Sequence, residues 1–199
     1  MRIFSIWTAM VLLTSTAMAS ASTFQNVITD ELYTEQNHPE LYCLAQNVYF
    51  EAKSEPLAGQ YAVADVVLNR VKDTRYPNTI CEVVKEGPIK ESWKTRKDPT
   101  LPVEERVYYP RKDRCQFSWY CDGMSDKIPL KRKNGKWNKT IERMWRDCVY
   151  AALLVYTNKT KDLVGKSTHY YAYNKVNPKW ASTMKEYTKI GGHRFMYYD

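Results

Sequence analysis

The sequence predicts an α+β, mainly helical protein built as one domain, and three observations predict it. Apolar residues recur at spacings of three and four in Leu41–Ala52, Leu57–Val71 and Ile141–Val155, the mark of helices with a buried face. The segment Cys115–Gly123 alternates polar and apolar side chains as an extended segment does. About 180 residues remain beyond the N-terminal leader, without internal repeat or low-complexity linker, and a chain of that length suits one core.

Residues 1–19 carry Arg2, an apolar stretch centred on Ile6–Leu13, and the small residues Ala17 and Ala19 around Met18. They read as a secretory signal peptide, cleaved after Ala19 or Ala21. The apolar stretch is too short to span a bilayer comfortably, and no cysteine follows it to accept lipid, so no stable membrane insertion is expected after cleavage. Residues 20–38 form an N-terminal extension that opens on Ser20-Ala21-Ser22-Thr23, and residues 39–199 form the folded domain.

Pro39 suits a first helical position, and Leu41, Leu44, Val48 and Ala52 follow on one face. Glu51, seven residues after Leu44 and three after Val48, projects from that stripe or from its edge. A carboxyl group removed from water resists ionisation and keeps its proton near neutral pH. Breaking a glycosidic bond needs such a donor, because the leaving sugar oxygen must be protonated as the bond parts. Glu51 is therefore the candidate catalytic acid; the competing reading leaves it solvated at the helix margin.

Ser54-Glu55-Pro56 ends this helix and starts a second, whose expected buried stripe is Leu57, Tyr61, Ala64, Leu68 and Val71, so that the two form a hairpin. Glu55, beside a proline at a helix start, reads as a charge complementing the helix dipole. Thr74–Thr79 is a turn around Pro77 and Asn78, and Ile80–Lys85 is a short helix ended by Gly87 and Pro88. Residues 89–114 are charged, contain Pro99, Pro102 and Pro110, and lack a sustained period, so they are expected as a surface loop or partly helical insertion.

In CQFSWYCDG, Gln116, Ser118 and Asp122 alternate with Phe117 and Trp119 and present hydrogen-bonding groups suited to a sugar. A disulfide clasp is the structural alternative for this segment. A third long helix is predicted over Lys139–Tyr156, capped by Asn138. His169 and Tyr170, in Thr168-His169-Tyr170-Tyr171, are candidates to line a glycan groove, and Trp180 is expected as a core anchor. Asn177, a further binding candidate, pairs with Pro178 as a cap and first turn for Val176–Tyr187.

The chain carries a net charge of +8, which falls to +7 when residues 1–19, with Arg2 and no acidic residue, are removed. Such charge outside the cytoplasm suits anionic envelope polymers. Nucleic acid is not an expected partner, since the basic runs around Lys90–Lys97 and Lys131–Lys136 carry no recognisable nucleic-acid motif. Five cysteines indicate an oxidising compartment. Cys148, on the stripe of Ile141, Trp145, Ala152 and Val155, is expected to stay free. The other four allow Cys81 with Cys115 and Cys43 with Cys121, although spacing alone does not decide connectivity. No metal or other cofactor is expected, because the sequence holds no CxxC or HExxH spacing and only His38, His169 and His193.

Three segments, YFEAKSEPLAGQYAVADVVLNRV, CQFSWYCDG and STHYYAYNKVNPKWA followed by GGHRF, resemble in the same order the cell wall hydrolases typified by the spore cortex-lytic enzymes. The resemblance runs from about Leu41 to Phe195. It implies a compact, lysozyme-like or transglycosylase-like catalytic domain over residues 39–199 that acts on peptidoglycan glycan strands in the periplasm or outside the cell. It also implies that the first glutamate of E-A-x-x-E-P, Glu51, is the catalytic acid, and it makes residues 89–114 an insertion. Lytic transglycosylase chemistry is the expected activity. A muramidase, with Asp122 or Asp65 as second carboxylate, an N-acetylmuramoyl-L-alanine amidase and a non-catalytic peptidoglycan-binding protein are the alternatives. A regulatory protein partner is left open.

Overall fold

Helix α1 (Pro39–Ala52) forms around the apolar face that the sequence marks: Leu41, Leu44, Val48 and Ala52 are all buried. The structure, a computed structural model, describes residues 33–199. The expected signal peptide, residues 1–19, and residues 20–32 of the extension lie outside the described residues. Helix α2 (Leu57–Lys72) turns back against α1 after Pro56, giving the expected hairpin. The short helix α3 (Ile80–Val84) crosses both. Its start is fastened to α1 by Glu40, whose Oε2 accepts from the backbone N–H groups of Ile80 at 2.6 Å and Cys81 at 3.2 Å, satisfying donors that a helix leaves open.

Residues 89–114, expected as a surface loop or partly helical insertion, hold short helical turns and, in addition, a two-stranded sheet. Strands β1 (Ile89–Glu91) and β2 (Tyr108–Pro110) pair antiparallel, with the one-turn helix α4 (Trp93–Arg96) and a 3-10 turn at Val103–Glu105 between them. The Glu91–Arg106 ion pair, at 2.9 Å, closes the base of this excursion. The predicted third long helix is present as α5 (Lys139–Tyr156), and Asn138 caps it through Oδ1, which accepts from the Ile141 N–H. Its face of Trp145, Cys148, Ala152 and Val155 packs against α1 and α2.

The expected helical stretch over Val176–Tyr187 is corrected. Only a 3-10 turn, Lys179–Thr183, follows Pro178, and the chain then enters a three-stranded antiparallel sheet of order β3-β5-β4. Its strands are β3 (His169–Ala172), β4 (Lys185–Ile190) and β5 (His193–Tyr197). Helical and sheet layers meet at α2, where Ala62 and Val66 pack with Val164 and with Phe195 of β5.

The predicted stripe of α2 faces the main core: Ala64 is buried in it and Tyr61, Leu68 and Val71 are half-buried against it, whereas Leu57 is exposed. A second face, with Ala62, Val66 and Arg70, is buried as well, because a helix between two layers buries more than one face.

All four cysteines expected in disulfides are bonded, in a different pairing: Cys43 with Cys81 and Cys115 with Cys121. The crossing of α3 over the first turns of α1 brings the Cα atoms of Cys43 and Cys81 to 5.3 Å, within disulfide reach. Cys115 and Cys121 close a tight loop around the 3-10 turn Ser118–Cys121, which replaces the expected extended run. Cys148 is free and buried. Among the described residues no helix is long and apolar enough to cross a membrane.

Candidate active site

Glu51 lies in the last turn of α1, where the sheet closes over the helix end. The hydroxyl of Tyr170, on β3, donates to Glu51 Oε2 at 3.1 Å. Burial raises the Glu51 carboxyl above its ordinary range, and it outweighs the Tyr170 hydrogen bond and the positive charge of Arg70, both of which favour the carboxylate. Tyr170 is itself pushed well above the usual phenol value by burial and by the Glu51 charge, so it stays a hydrogen donor. The pair thus combines a carboxyl group that holds its proton more tightly than usual with a hydroxyl that donates to one of its oxygens.

The partners of Glu51 are positioned by α2. Arg70 is buried on the same face as Val66 and Val67; its Nε donates to the Thr168 carbonyl at 2.8 Å, and its guanidinium lies 5.0 Å from the Phe117 ring centre. One residue earlier, Asn69 Nδ2 donates to the carbonyls of Gly165 at 2.6 Å and Ser167 at 2.9 Å. Asn69-Arg70 therefore sets the chain that enters β3, and with it Tyr170. Arg70 Nη1 is buried without a hydrogen-bond partner among the described residues. Sequence reading passed over Arg70, although a charged residue three after Val67 on an apolar face is the signal that singled out Glu51.

Glu55, placed at the start of α2, also makes contacts beyond that helix. Its Oε2 accepts from the Gly192 N–H at 2.9 Å, and its Oε1 lies 3.9 Å from His193 Nδ1. Gly191 has a φ of 57°, and a Cβ there would run into the Glu55 carboxylate, so the Gly-Gly turn between β4 and β5 is shaped to receive this side chain. The His193 ring then meets the Tyr170 ring edge-on at 5.3 Å. Both glutamates of E-A-x-x-E-P thus meet the sheet, one at Tyr170 and the other at the turn.

The remaining predicted residues divide. The segment 115–122 is brought beside α1: Trp119 Nε1 donates to Asn47 Oδ1 at 3.1 Å, one helical turn before Glu51, and the Trp119 ring stacks on Phe50 at 4.6 Å. Gln116 and Ser118 are exposed on this segment. Asp122 closes a turn, its Oδ1 accepting from the Met124 N–H at 2.6 Å. His169 is turned from Glu51 by strand alternation; its ring lies 5.3 Å from Trp180 and 5.6 Å from Tyr198. Burial and the charges of Arg70 and Arg75 lower His169 to about 4, leaving it neutral at pH 7. Asn177 is exposed on the loop after β3, and Trp180 is half-buried against His169 and Tyr171 rather than in the main core.

Asp65, on α2, accepts from the backbone N–H of Leu163 and is raised to about 6 by burial and by Asp162. The groups that shift Glu51 are Tyr170 and Arg70; neither Asp65 nor Asp122 is among them. No group of three His, Cys, Asp or Glu side chains is arranged to hold a metal ion among the described residues.

The spore cortex-lytic enzyme of Bacillus cereus is 26% identical to this chain over 156 residues, covering 78% of this chain and 43% of its own length. That of Bacillus subtilis is 33% identical over 97 residues, covering 40% of this chain and 32% of its own. The chain therefore spans less than half the length of these curated relatives. Among solved structures, the catalytic domain of the germination-specific lytic transglycosylase SleB from Bacillus anthracis shares 25% identity, with a TM-score of 0.48 over 85% of this chain and 100% of its own. The profile of the cell wall hydrolase family matches residues 54–196, starting just past Glu51 and taking in Glu55, Arg70, Tyr170 and the Gly191-Gly192 turn. On that match the chain belongs to the cell wall hydrolase family.

Proposed function

We propose that this protein is a lytic transglycosylase that cleaves peptidoglycan between N-acetylmuramic acid and N-acetylglucosamine, with Glu51 as acid and then base. The observation that carries the reading is a half-buried carboxyl group at the end of α1, raised by desolvation and held at one oxygen by the Tyr170 hydroxyl. Glu51 gives its proton to the glycosidic oxygen as the bond to muramoyl C1 breaks, and the bonding pair leaves with that oxygen. Tyr170 and Arg70 support the resulting carboxylate. In this scheme no second carboxylate takes part: the muramoyl 6-hydroxyl attacks C1 and returns its proton to Glu51, forming a 1,6-anhydro ring. Gln116 and Ser118, exposed beside the Trp119 anchor, are proposed glycan contacts; Asn177 and His169 are proposed at the outer edge of β3.

The substrate lies outside the cytoplasm, so the proposal includes export by residues 1–19, in keeping with two disulfides. The test is mass spectrometry of fragments released from purified peptidoglycan by the parent and by Glu51→Gln. Anhydromuropeptides from the parent, and at least a 100-fold loss in the variant, are expected for a missing general acid. Reducing ends alone point to a muramidase. Chelator-sensitive release of stem peptides points to an amidase, binding without release to a silent binder, and equal activity of both proteins removes Glu51 from the role.

A further inference from the structure

Resting on peptidoglycan as the substrate, we infer that the cavity between the first turn of α1, α5 and the segment 127–137 is a second peptidoglycan-binding site, which grips a stretch of wall polymer other than the one being cut. The cavity holds about 500 Å³, within the range of sites for small ligands. Four aromatic side chains line it, Tyr33, Tyr42, Trp137 and Trp145, with the Trp145 ring edge-on to Tyr42 at 5.5 Å. Trp137 is 43% exposed, and its ring is fixed through Nε1, which donates to Glu142 Oε2 at 2.7 Å. Flat apolar faces of this kind pack against the carbon-bound hydrogens of a sugar ring. Gln36, exposed at the rim, offers hydrogen bonds to sugar hydroxyl and N-acetyl groups, and Glu35 and Lys127 bring one charge of each sign to the wall.

Beyond that wall the charge is of one sign. From Lys127 to Ile141 the chain holds six cations, Lys127, Lys131, Arg132, Lys133, Lys136 and Lys139, and no carboxylate. None of the six forms an ion pair among the described residues. Leu130 and Trp137, both on the cavity wall, begin and end a hairpin that projects four of them. The Asn138 N–H donates to the Leu130 carbonyl at 2.7 Å, the Arg132 N–H donates to the Lys136 carbonyl at 2.8 Å, and Gly135 turns the chain at a φ of 79°. Lys131 is paired with Trp137 across this hairpin, and directly opposed residues share a face, so its side chain leaves on the same side as the indole. Lys136 and Lys139 also sit at the N-terminal end of α5, where the helix dipole disfavours positive charge. Such a cluster is costly in the free protein, and a polyanion laid over it offsets that cost. Peptidoglycan supplies both halves of the match, sugar rings for the aromatic faces and stem-peptide carboxylates for the cations. Tyr42 lies nine residues before Glu51, roughly 13 Å along α1 and on the opposite side of that helix, so polymer held here is separate from the bond at the acid. A second point of attachment raises the effective concentration of the wall at the active site.

The probe is purified peptidoglycan sacculi, cosedimented with Glu51→Gln protein so that the wall stays intact. Adding Trp137→Ala should weaken binding about tenfold, and Trp137→Phe should restore most of it. Adding Lys131→Gln together with Lys133→Gln should also weaken binding about tenfold and flatten its dependence on salt. Lys159→Gln with Lys161→Gln, the same loss of exposed charge outside the hairpin, should leave binding unchanged. Undiminished affinity in Trp137→Ala, with circular dichroism showing it folded, overturns the assignment, and so does an equal loss from the two lysine pairs, which makes the attraction one of net charge alone. Cosedimentation with phosphatidylglycerol vesicles that depends on Trp137 and Lys131, beside sacculus binding that does not, gives this surface to a membrane and overturns the assignment as well. Sacculus binding that depends on Trp137 and on the Lys131 and Lys133 pair, with no fragments released by the parent protein, upholds the second site and removes the glycan-cleaving reading instead.

Discussion

Replacing Asp65 by Asn tests the electrostatics of the α2 face and the single-carboxylate scheme together. Burial and the Asp162 charge raise this carboxyl from 3.8 to about 6 in the folded protein, and its Oδ2 is buried without a hydrogen-bond partner. A raised folded value means that the contribution of Asp65 to stability is complete below about pH 4 and is lost as pH rises through about 6. A rise from 3.8 to about 6 corresponds to about 3 kcal/mol, and because the group is only partly shielded from water, screening reduces this to on the order of 1–2 kcal/mol. Asn does not ionise and still offers an oxygen to the Leu163 N–H. Asp65→Asn should therefore exceed the parent by that amount above pH 6, a Tm gain of roughly 2–8 °C, with the gain fading below pH 4. Thermal unfolding followed by circular dichroism between pH 4 and pH 8 is the assay. A difference independent of pH, or a loss above pH 6, refutes the reasoning. The same variant should still release anhydromuropeptides at pH 7; loss of that release with the fold intact makes Asp65 a second catalytic carboxylate.

Tyr170→Phe removes a contact that lowers the Glu51 value, so the alkaline limb of the pH–activity profile should move to higher pH while kcat/KM falls about 10- to 100-fold; an unmoved limb uncouples the two residues. Gly191→Ala places a Cβ against Glu55 at a positive φ and should cost at least about 1–2 kcal/mol in denaturant unfolding, with Glu55→Gln releasing only part of that loss. Replacing Cys43 and Cys81 together by Ser opens a link across 38 residues and should cost about 4 kcal/mol, against about 2 kcal/mol for the Cys115–Cys121 pair, which spans 6; equal losses in urea melts contradict the loop-entropy account.

Helices α1 and α5 were legible in the sequence because their apolar residues recur on one stripe at spacings of three and four, which is the case that 3.6-residue periodicity describes. The Asn138 cap was legible for a similar reason, since its partner, the Ile141 N–H, is three residues away. Glu51 stood out as a charge beside an apolar stripe. Its partner Tyr170 is 119 residues further on, and nothing local records that a strand will lay that phenol on the helix end. The second buried face of α2, the place of Arg70 and the disulfide pairing escaped for the same physical reason: each depends on a further element packing against one whose own pattern speaks for a single face. Sequence by itself determined the three long helices, where they stop and which carboxylate is misplaced for a surface helix, because these are local matters of spacing and backbone preference. Tertiary structure alone decided that Glu51 is desolvated, that Glu55 secures the Gly191-Gly192 turn and that His169 faces away from the acid, because burial and strand-face orientation are set by contacts between residues far apart in the chain.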